Sequence, residues 1–221
     1  MTAHHNFRDY LRAIPSLVGS ETAFDPQSHP STPQELFLEW FRSAESAGIP
    51  EPHAMTVSTV DADGIPDSRT LVLKDLTAEG AFCFAGRRDS NKGLQLDTHP
   101  AAALLFYWRE QLRSVRIRGQ IIEGSSDEAR ADFTARHPGA RAVALSGPQG
   151  APMGGGVDLA HDVDVAAQRV AADPNLVPQE WTVWQLNPTK VEFWQGSQSR
   201  LHTRLRYLRG EAGWDATRLR P

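Results

Sequence analysis

Between Ala54 and Leu219 the chain returns again and again to short apolar-rich runs separated by turn residues, and that succession restricts the fold more than any other feature. Ala54 to Val60 leads into Asp61-Ala62-Asp63-Gly64, a hairpin-type turn. Arg69 to Lys74 and Ala81 to Ala85 are the next strands expected, then Ala101 to Trp108 and Leu112 to Ile122, joined by Arg109-Glu110-Gln111. Trp181 to Leu186, Val191 to Gln195, Leu201 to Tyr207 and Gly213 to Leu219 complete the series. Few helical patterns interrupt it. Thr32 and Glu35 form a capping box with Pro33 at the first helical position. Behind them Leu36, Phe37, Trp40, Phe41, Ala44 and Ala47 make one apolar stripe, which Gly48 ends. Ser125 and Glu128 cap a helix running to about Arg136, and another is expected from about Asp158 to Ala172. Sequential strands without regular βα alternation predict a mainly β chain with flanking helices, an α+β fold built on an antiparallel barrel.

Composition narrows the function classes. A chain of 221 residues makes one large domain or two small ones. The net charge of −4 gives no reason to expect nucleic-acid binding, so any anion must be held by a local cluster. Cys83 is the single cysteine, which leaves no internal disulfide and no zinc framework; between Phe82 and Phe84 it reads as a core thiol. No metal-ligand spacing, internal repeat or glycine-rich phosphate loop is present, and Gly154-Gly155-Gly156 within the loose stretch Gly147 to Val157 reads as a flexible loop. No signal peptide or long apolar run is seen, and a cytoplasmic protein without a membrane span is the default expectation. Residues 1–33 read as an arm, with His4 and His5 solvated and Tyr10, Leu11, Ile14 and Leu17 available to dock on a surface; residues 34–221 read as the main domain.

Three segments carry chemistry. Read as a strand, Leu201 to Tyr207 with its lead-in puts Arg200, His202 and Arg204 on one face, next to the apolar Val191, Phe193 and Trp194. Two guanidiniums and an imidazole suit an anionic, planar ligand; a solvated face with cross-strand charge pairs accounts for the pattern equally well. Arg69-Thr70-Leu71-Val72-Leu73-Lys74 carries a basic residue at each end, which is also ordinary edge protection. Asp89-Ser90-Asn91-Lys92-Gly93 offers a hydroxyl, an amide and an ammonium before an apolar-periodic stretch, fitting a phosphate at a helix N-terminus or a plain solvated turn.

Together these segments resemble the pyridoxamine 5'-phosphate oxidase family of FMN-dependent enzymes. The resemblance is carried by Glu51-Pro52-His53-Ala54-Met55, by Arg69 to Lys74, by Ser90-Asn91-Lys92-Gly93 with His99-Pro100, by Glu192 to Arg204, and by the ending Trp214 with Arg218-Leu219-Arg220-Pro221. It implies an FMN-binding split β-barrel homodimer with FMN at the subunit interface; a split barrel's open side, rich in Trp and Phe, also needs covering. It implies that Arg69, Thr70, Leu71, Val72, Leu73 and Lys74 form the strand contacting FMN. Phe84 and Ala85 would meet the flavin, Asn91 and Lys92 the FMN phosphate, with Ser114, Gln149, Trp194 and Arg204 completing the cofactor site. Lys74, Asp132 and Arg136 would occupy the positions that grip the substrate phosphate, and Arg200 and His202 would lie over the substrate as the catalytic pair.

The implied activity is oxidation of pyridoxamine or pyridoxine 5'-phosphate to pyridoxal 5'-phosphate with O2 as acceptor, giving hydrogen peroxide. Two other activities stay open: oxidation of another reduced heterocycle, as in the phenazine branch of the superfamily, and non-catalytic binding of a flavin or pyridoxal phosphate. The chain departs from the family's pattern at several positions. Asn91 replaces an arginine, Ser114 a glutamine, and Gly150 does not supply the hydroxyl of the pair that Gln149 begins. Asp132 and Ala140 stand where a tyrosine and a serine usually complete the phosphate site. A carboxylate beside a phosphate costs about 1 kcal/mol or more unless it is screened or turned away.

Overall fold

The computed structural model describes residues 6–156 and 158–221, so the expectations for His4, His5 and Val157 lie outside the described residues. The elements are α1 (Phe7–Ala13), α2 (Pro33–Ser46), β1 (Ala54–Val60), β2 (Pro66–Val72), β3 (Asp75–Leu76), β4 (Phe82–Arg87), α3 (Asn91–Thr98), β5 (Ala101–Trp108), a 3-10 turn (Arg109–Gln111), β6 (Arg113–Glu123), α4 (Ser126–Ala135), α5 (Pro138–Leu145), α6 (Leu159–Ala172), β7 (Trp181–Gln195), β8 (Thr203–Gly210) and β9 (Gly213–Leu219). The chain forms two compact units, one from residues 1–52, 105–116 and 190–221, the other from residues 53–104 and 117–189.

The strands are ordered β2-β1-β5-β6-β7-β4-β3, with β8 and β9 off this path. β1 and β2 are an antiparallel hairpin from Ala54↔Val72 to Val60↔Pro66, and β4 lies antiparallel to β7 from Phe82↔Leu186 to Arg87↔Trp181. The hairpin turn closes as its Asp-rich sequence dictates: the Asp61 carboxylate accepts from the backbone of Asp63 and Ile65, and Gly64 takes φ +81°. β1 alternates between buried and half-buried residues, whereas β4 is buried almost throughout. Phe82 and Phe84 are fully buried, and Phe84 packs on Trp184 with ring centroids 5.6 Å apart.

In the first unit α2 shows the capping box read from Thr32 and Glu35. It buries Leu36, Phe37, Trp40 and Ala44, with Trp40 edge-on to Phe193 at 5.2 Å. Burying a side chain such as Leu36 or Phe37 contributes about 1.5–3 kcal/mol. Arg113 is buried here too, its guanidinium 4.3 Å over the Trp40 ring and its Nε donating to Gln195 at 2.8 Å.

Several expected boundaries move. The strand expected from Arg69 to Lys74 ends at Val72, so Leu73 and Lys74 lie beyond it. Trp181 to Leu186 and Val191 to Gln195 are one 15-residue strand running through Asn187-Pro188. The strand expected at Leu201 begins at Thr203, because residues 196–202 form a turn in which Arg200 N–H bonds Ser197 O and Arg200 takes φ +67°. Arg200 and His202 therefore do not share a strand face with Arg204. Ala47 caps α2 and is exposed rather than part of its buried stripe. α1 and α5 were not anticipated; α1 buries nothing, and Tyr10, Leu11 and Ile14 are exposed.

Candidate functional site

In the second unit a polar cluster gathers around the first turn of α3. Ser90 caps the helix, accepting from the Gly93 N–H and donating through Oγ to Arg87 O. Gly93 is required there, since a Cβ would run into the backbone of Arg88. Lys92, only 4% exposed, donates from Nζ to Ser90 Oγ at 2.9 Å and to Gln149 Oε1 at 2.7 Å. Both partners are neutral, and among the described residues no carboxylate lies within salt-bridge distance of it. Burial first, then the Arg69 charge, push the Lys92 ammonium down to about 8, with Asp89 opposing them. An ammonium has three donors. A buried cation with a donor to spare and no counter-ion is the chemistry of an anion site.

Arg69, on β2, is held in place rather than free. Its guanidinium donates to Thr59 Oγ1 at 2.5 Å, Asp67 at 2.8 Å and Gln95 at 3.1 Å, and Thr59 in turn donates to Gln95. Asn91 is the exposed first residue of α3. Lys92 and Gln149 border a cavity of about 580 Å³ that Leu71, Ala85, Gly86, Arg136, Ala140 and Trp181 also line. Thr70 is exposed, Val72 and Leu73 are half-buried, and Phe84 belongs to the core.

A second recess of about 450 Å³ is lined by Lys74, Asp132 and Arg136, with Asp75, Cys83 and Glu128. Asp132 is not directed at a free cation pair. Its Oδ1 lies 3.4 Å from Lys74 Nζ and its Oδ2 accepts from the Trp181 indole N–H at 2.9 Å. Arg136 stacks over the Trp181 ring at 4.5 Å and keeps a buried Nε without a partner. Burial lowers its affinity for a proton, against the opposing pull of Asp132. The Cys83 thiol is pushed up to about 12 by burial, with Asp75 and Glu128 adding to the effect.

In the first unit Trp194 lies 4.9 Å from the His202 ring, and His202 Nδ1 accepts from the Ser197 N–H at 3.1 Å. An imidazole nitrogen that accepts is unprotonated, so neutral His202 carries its proton on Nε2. Arg200 is exposed and donates to Ser16 Oγ at 2.9 Å. Arg204 is committed to Glu192 at 2.7 Å and to the Arg220 carbonyl at 3.1 Å, and Glu192 also pairs with Arg116 at 2.8 Å. Desolvation opposes ionisation of Glu192, but Arg204 and Arg116 together hold its carboxyl below the usual range. Ser114 is half-buried on β6.

Residues 41–195 match the family described as pyridoxamine 5'-phosphate oxidase, and residues 181–221 match the pyridoxine 5'-phosphate oxidase C-terminal dimerisation region. The chain belongs to the pyridoxamine 5'-phosphate oxidase family. Among its relatives, pyridoxine/pyridoxamine 5'-phosphate oxidase of Bordetella petrii is 40% identical over 192 residues, 86% of this chain and 90% of that one. The Caulobacter vibrioides protein of the same name is 37% identical over 213 residues, 96% and 93% of the two chains. Among solved structures, PhzG from Burkholderia lata 383 in complex with tetrahydrophenazine-1-carboxylic acid superposes with a TM-score of 0.85 at 28% identity, over 92% of this chain and 100% of that one.

The fold is thus the family's split β-barrel, the protein is an oxidoreductase, and FMN is its cofactor. The residues around α3 fit that group: Lys92 is a buried, unpaired cation, and Gly86 leaves room for its side chain, since a Cβ there would stand 2.6 Å from Lys92 Cε. Among the described residues no cluster of three or more His, Cys, Asp or Glu is placed to hold a metal ion, and no helix is long and apolar enough to cross a membrane. Sequence reasoning passed over Trp181, Gln95 and Gly86. A tryptophan opening an apolar strand looks like core, and only its contacts to Asp132 and Arg136 reveal a polar duty.

Proposed function

We propose that the protein is an FMN-dependent oxidase that converts pyridoxamine or pyridoxine 5'-phosphate to pyridoxal 5'-phosphate with O2, and that it works as a homodimer. The observation that carries this reading is that Lys74 and Arg136 line one recess, in a chain whose relatives at 37–40% identity bear that name. When bound, FMN supplies hydride acceptance and re-oxidation by O2 to hydrogen peroxide. Lys92 holds its phosphate, with Arg69 adding positive potential and Gln149 orienting the ammonium. Arg136 takes the substrate phosphate, with Lys74, held by Asp132, beside it. Arg200 clamps the substrate, and His202, carrying its proton on Nε2, donates a hydrogen bond to the reacting group. Trp194 keeps the imidazole in place by packing against it.

The test is aerobic turnover of pyridoxamine 5'-phosphate by purified, FMN-saturated protein, following pyridoxal 5'-phosphate. Turnover supports the reading, and its absence with FMN bound sinks it. One observation favours a second reading, oxidation of a different reduced heterocycle such as a dihydrophenazine: Lys74 is already paired with Asp132. Consumption of a dihydrophenazine in place of pyridoxamine 5'-phosphate would establish it.

A further inference from the structure

The recess beneath α4 contains more negative than positive side chains. Lys74 and Arg136 are its cations; Asp132, Asp75 and Glu128 are its carboxylates, and the buried Cys83 thiol stays neutral. The carboxylates differ in what they do. Asp75 is exposed on β3. Glu128 is turned to the N-terminus of α4, accepting from the Ser125 N–H at 2.6 Å and from Gln185 at 2.6 Å. Asp132 alone is held against both Lys74 and Trp181, with its side chain 11% exposed.

We infer that Asp132 is a charge-selectivity residue: by occupying Lys74 it leaves Arg136, among the described residues, as the one cation of the recess without a salt-bridge partner, so the recess receives a group bearing a single negative charge and disfavours a doubly charged phosphate. The buried Arg136 Nε without a partner is the donor such a group would meet. A singly protonated phosphate ester and a carboxylate both satisfy this chemistry. A dianion would have to displace Asp132 from Lys74 or sit beside a carboxylate, at a cost that grows as water is excluded. The inference rests on the proposed reading that this recess receives the substrate's anionic group.

The experiment titrates the FMN-loaded protein with pyridoxamine 5'-phosphate and with its methyl phosphodiester, reading the change in flavin absorbance at pH 8 and pH 5.5. The diester carries one charge throughout, whereas the monoester gains a proton below about pH 6. The ratio of the two dissociation constants cancels titrations common to both ligands. The wild type is expected to favour the diester by about tenfold at pH 8 and to lose that preference at pH 5.5. Asp132→Asn, which keeps an acceptor for Trp181, is expected to abolish the preference at pH 8.

A wild type that favours the doubly charged monoester at pH 8 overturns the inference, and so does a ratio unmoved by Asp132→Asn. Equal weakening of both ligands in the variant, with FMN retained, assigns Asp132 a purely structural duty and also overturns it. If the variant does not fold, the wild-type pH dependence decides alone. If the FMN-loaded wild type responds to neither ligand, the substrate reading itself fails and takes the inference with it.

Discussion

Lys92 and Gln149 are joined by a 2.7 Å hydrogen bond that ties the first turn of α3 to the loop following α5. Both hydrogen-bond partners of this buried ammonium, Gln149 and Ser90, are uncharged, and Asp89 acts on it only from beyond salt-bridge distance, which leaves the place of a direct counter-ion to a ligand.

That relationship predicts a pH signature for cofactor binding. Without an anion, Lys92 loses its proton around pH 8 rather than at its ordinary 10.5. FMN phosphate, already a dianion, needs the charged form. FMN affinity should therefore be flat up to about pH 8 and fall about tenfold per pH unit above it, as fluorescence titration of released flavin will read. Lys92→Met should bind FMN at least about tenfold more weakly at pH 7 and show no such decline. The sign for stability is opposite: the unfolded state binds the extra proton between about 8 and 10.5, so this group makes the cofactor-free protein more stable as pH rises through that window.

Two glycines should respond differently to the same substitution. At Gly86 an added methyl meets the flexible end of Lys92, 2.6 Å from Cε. Gly86→Ala should fold normally and lose FMN affinity. At Gly119 the methyl meets the backbone carbonyl of Asn187, which cannot withdraw. Gly119→Ala should lose about 2 kcal/mol or more in denaturant unfolding.

Glu192 bridges Arg204 and Arg116 from a mostly buried position. Glu192→Gln should cost about 1–3 kcal/mol at pH 7, discounted because both arginines keep contact with water. Its folded carboxyl is depressed from 4.5, so the contribution is present above that value and fades as pH falls through the folded value. The stability curves of wild type and variant should accordingly converge in acid.

Arg200 is exposed, beyond the end of β7, and among the described residues its side chain is held by Ser16 alone. Arg200→Ala should lower kcat/KM by about a hundredfold or more while leaving the FMN dissociation constant within about twofold. Equal losses in turnover and FMN affinity would remove Arg200 from the substrate side of the reaction.

Much of this was legible in the residues. The capping boxes at Thr32 and Ser125, the Asp-Gly hairpin and the helix opening at Ser90 each carry a local signal strong enough to survive folding. What failed did so for non-local reasons. Asn187-Pro188 reads as a break, yet β7 continues through it because β6 presents Gly119 there, and the missing side chain lets the Asn187 carbonyl approach. Arg200 and His202 alternate like strand residues, yet the run Gly196-Ser197-Gln198-Ser199 extends the turn past them. At the candidate site, the family resemblance put Asp132 at a phosphate-binding position, where a carboxylate reads as repulsive. Its engagement with Lys74 depends on Trp181, some fifty positions away, and no periodicity encodes that pairing.

The position of β7 has a consequence for how the chain reaches its native state. β7 lies between β6 and β4, and Phe82, which pairs with Leu76 on one side, finds its partner on the other only at Leu186. On a ribosome, β4 and β6 are made long before the strand that joins them. Until synthesis passes Trp181, each presents one bare backbone edge where β7 will lie, that of β4 flanked by the apolar Phe82 and Phe84. Closure through so distant a partner makes folding slow and leaves the nascent protein most prone to mispairing until β7 emerges.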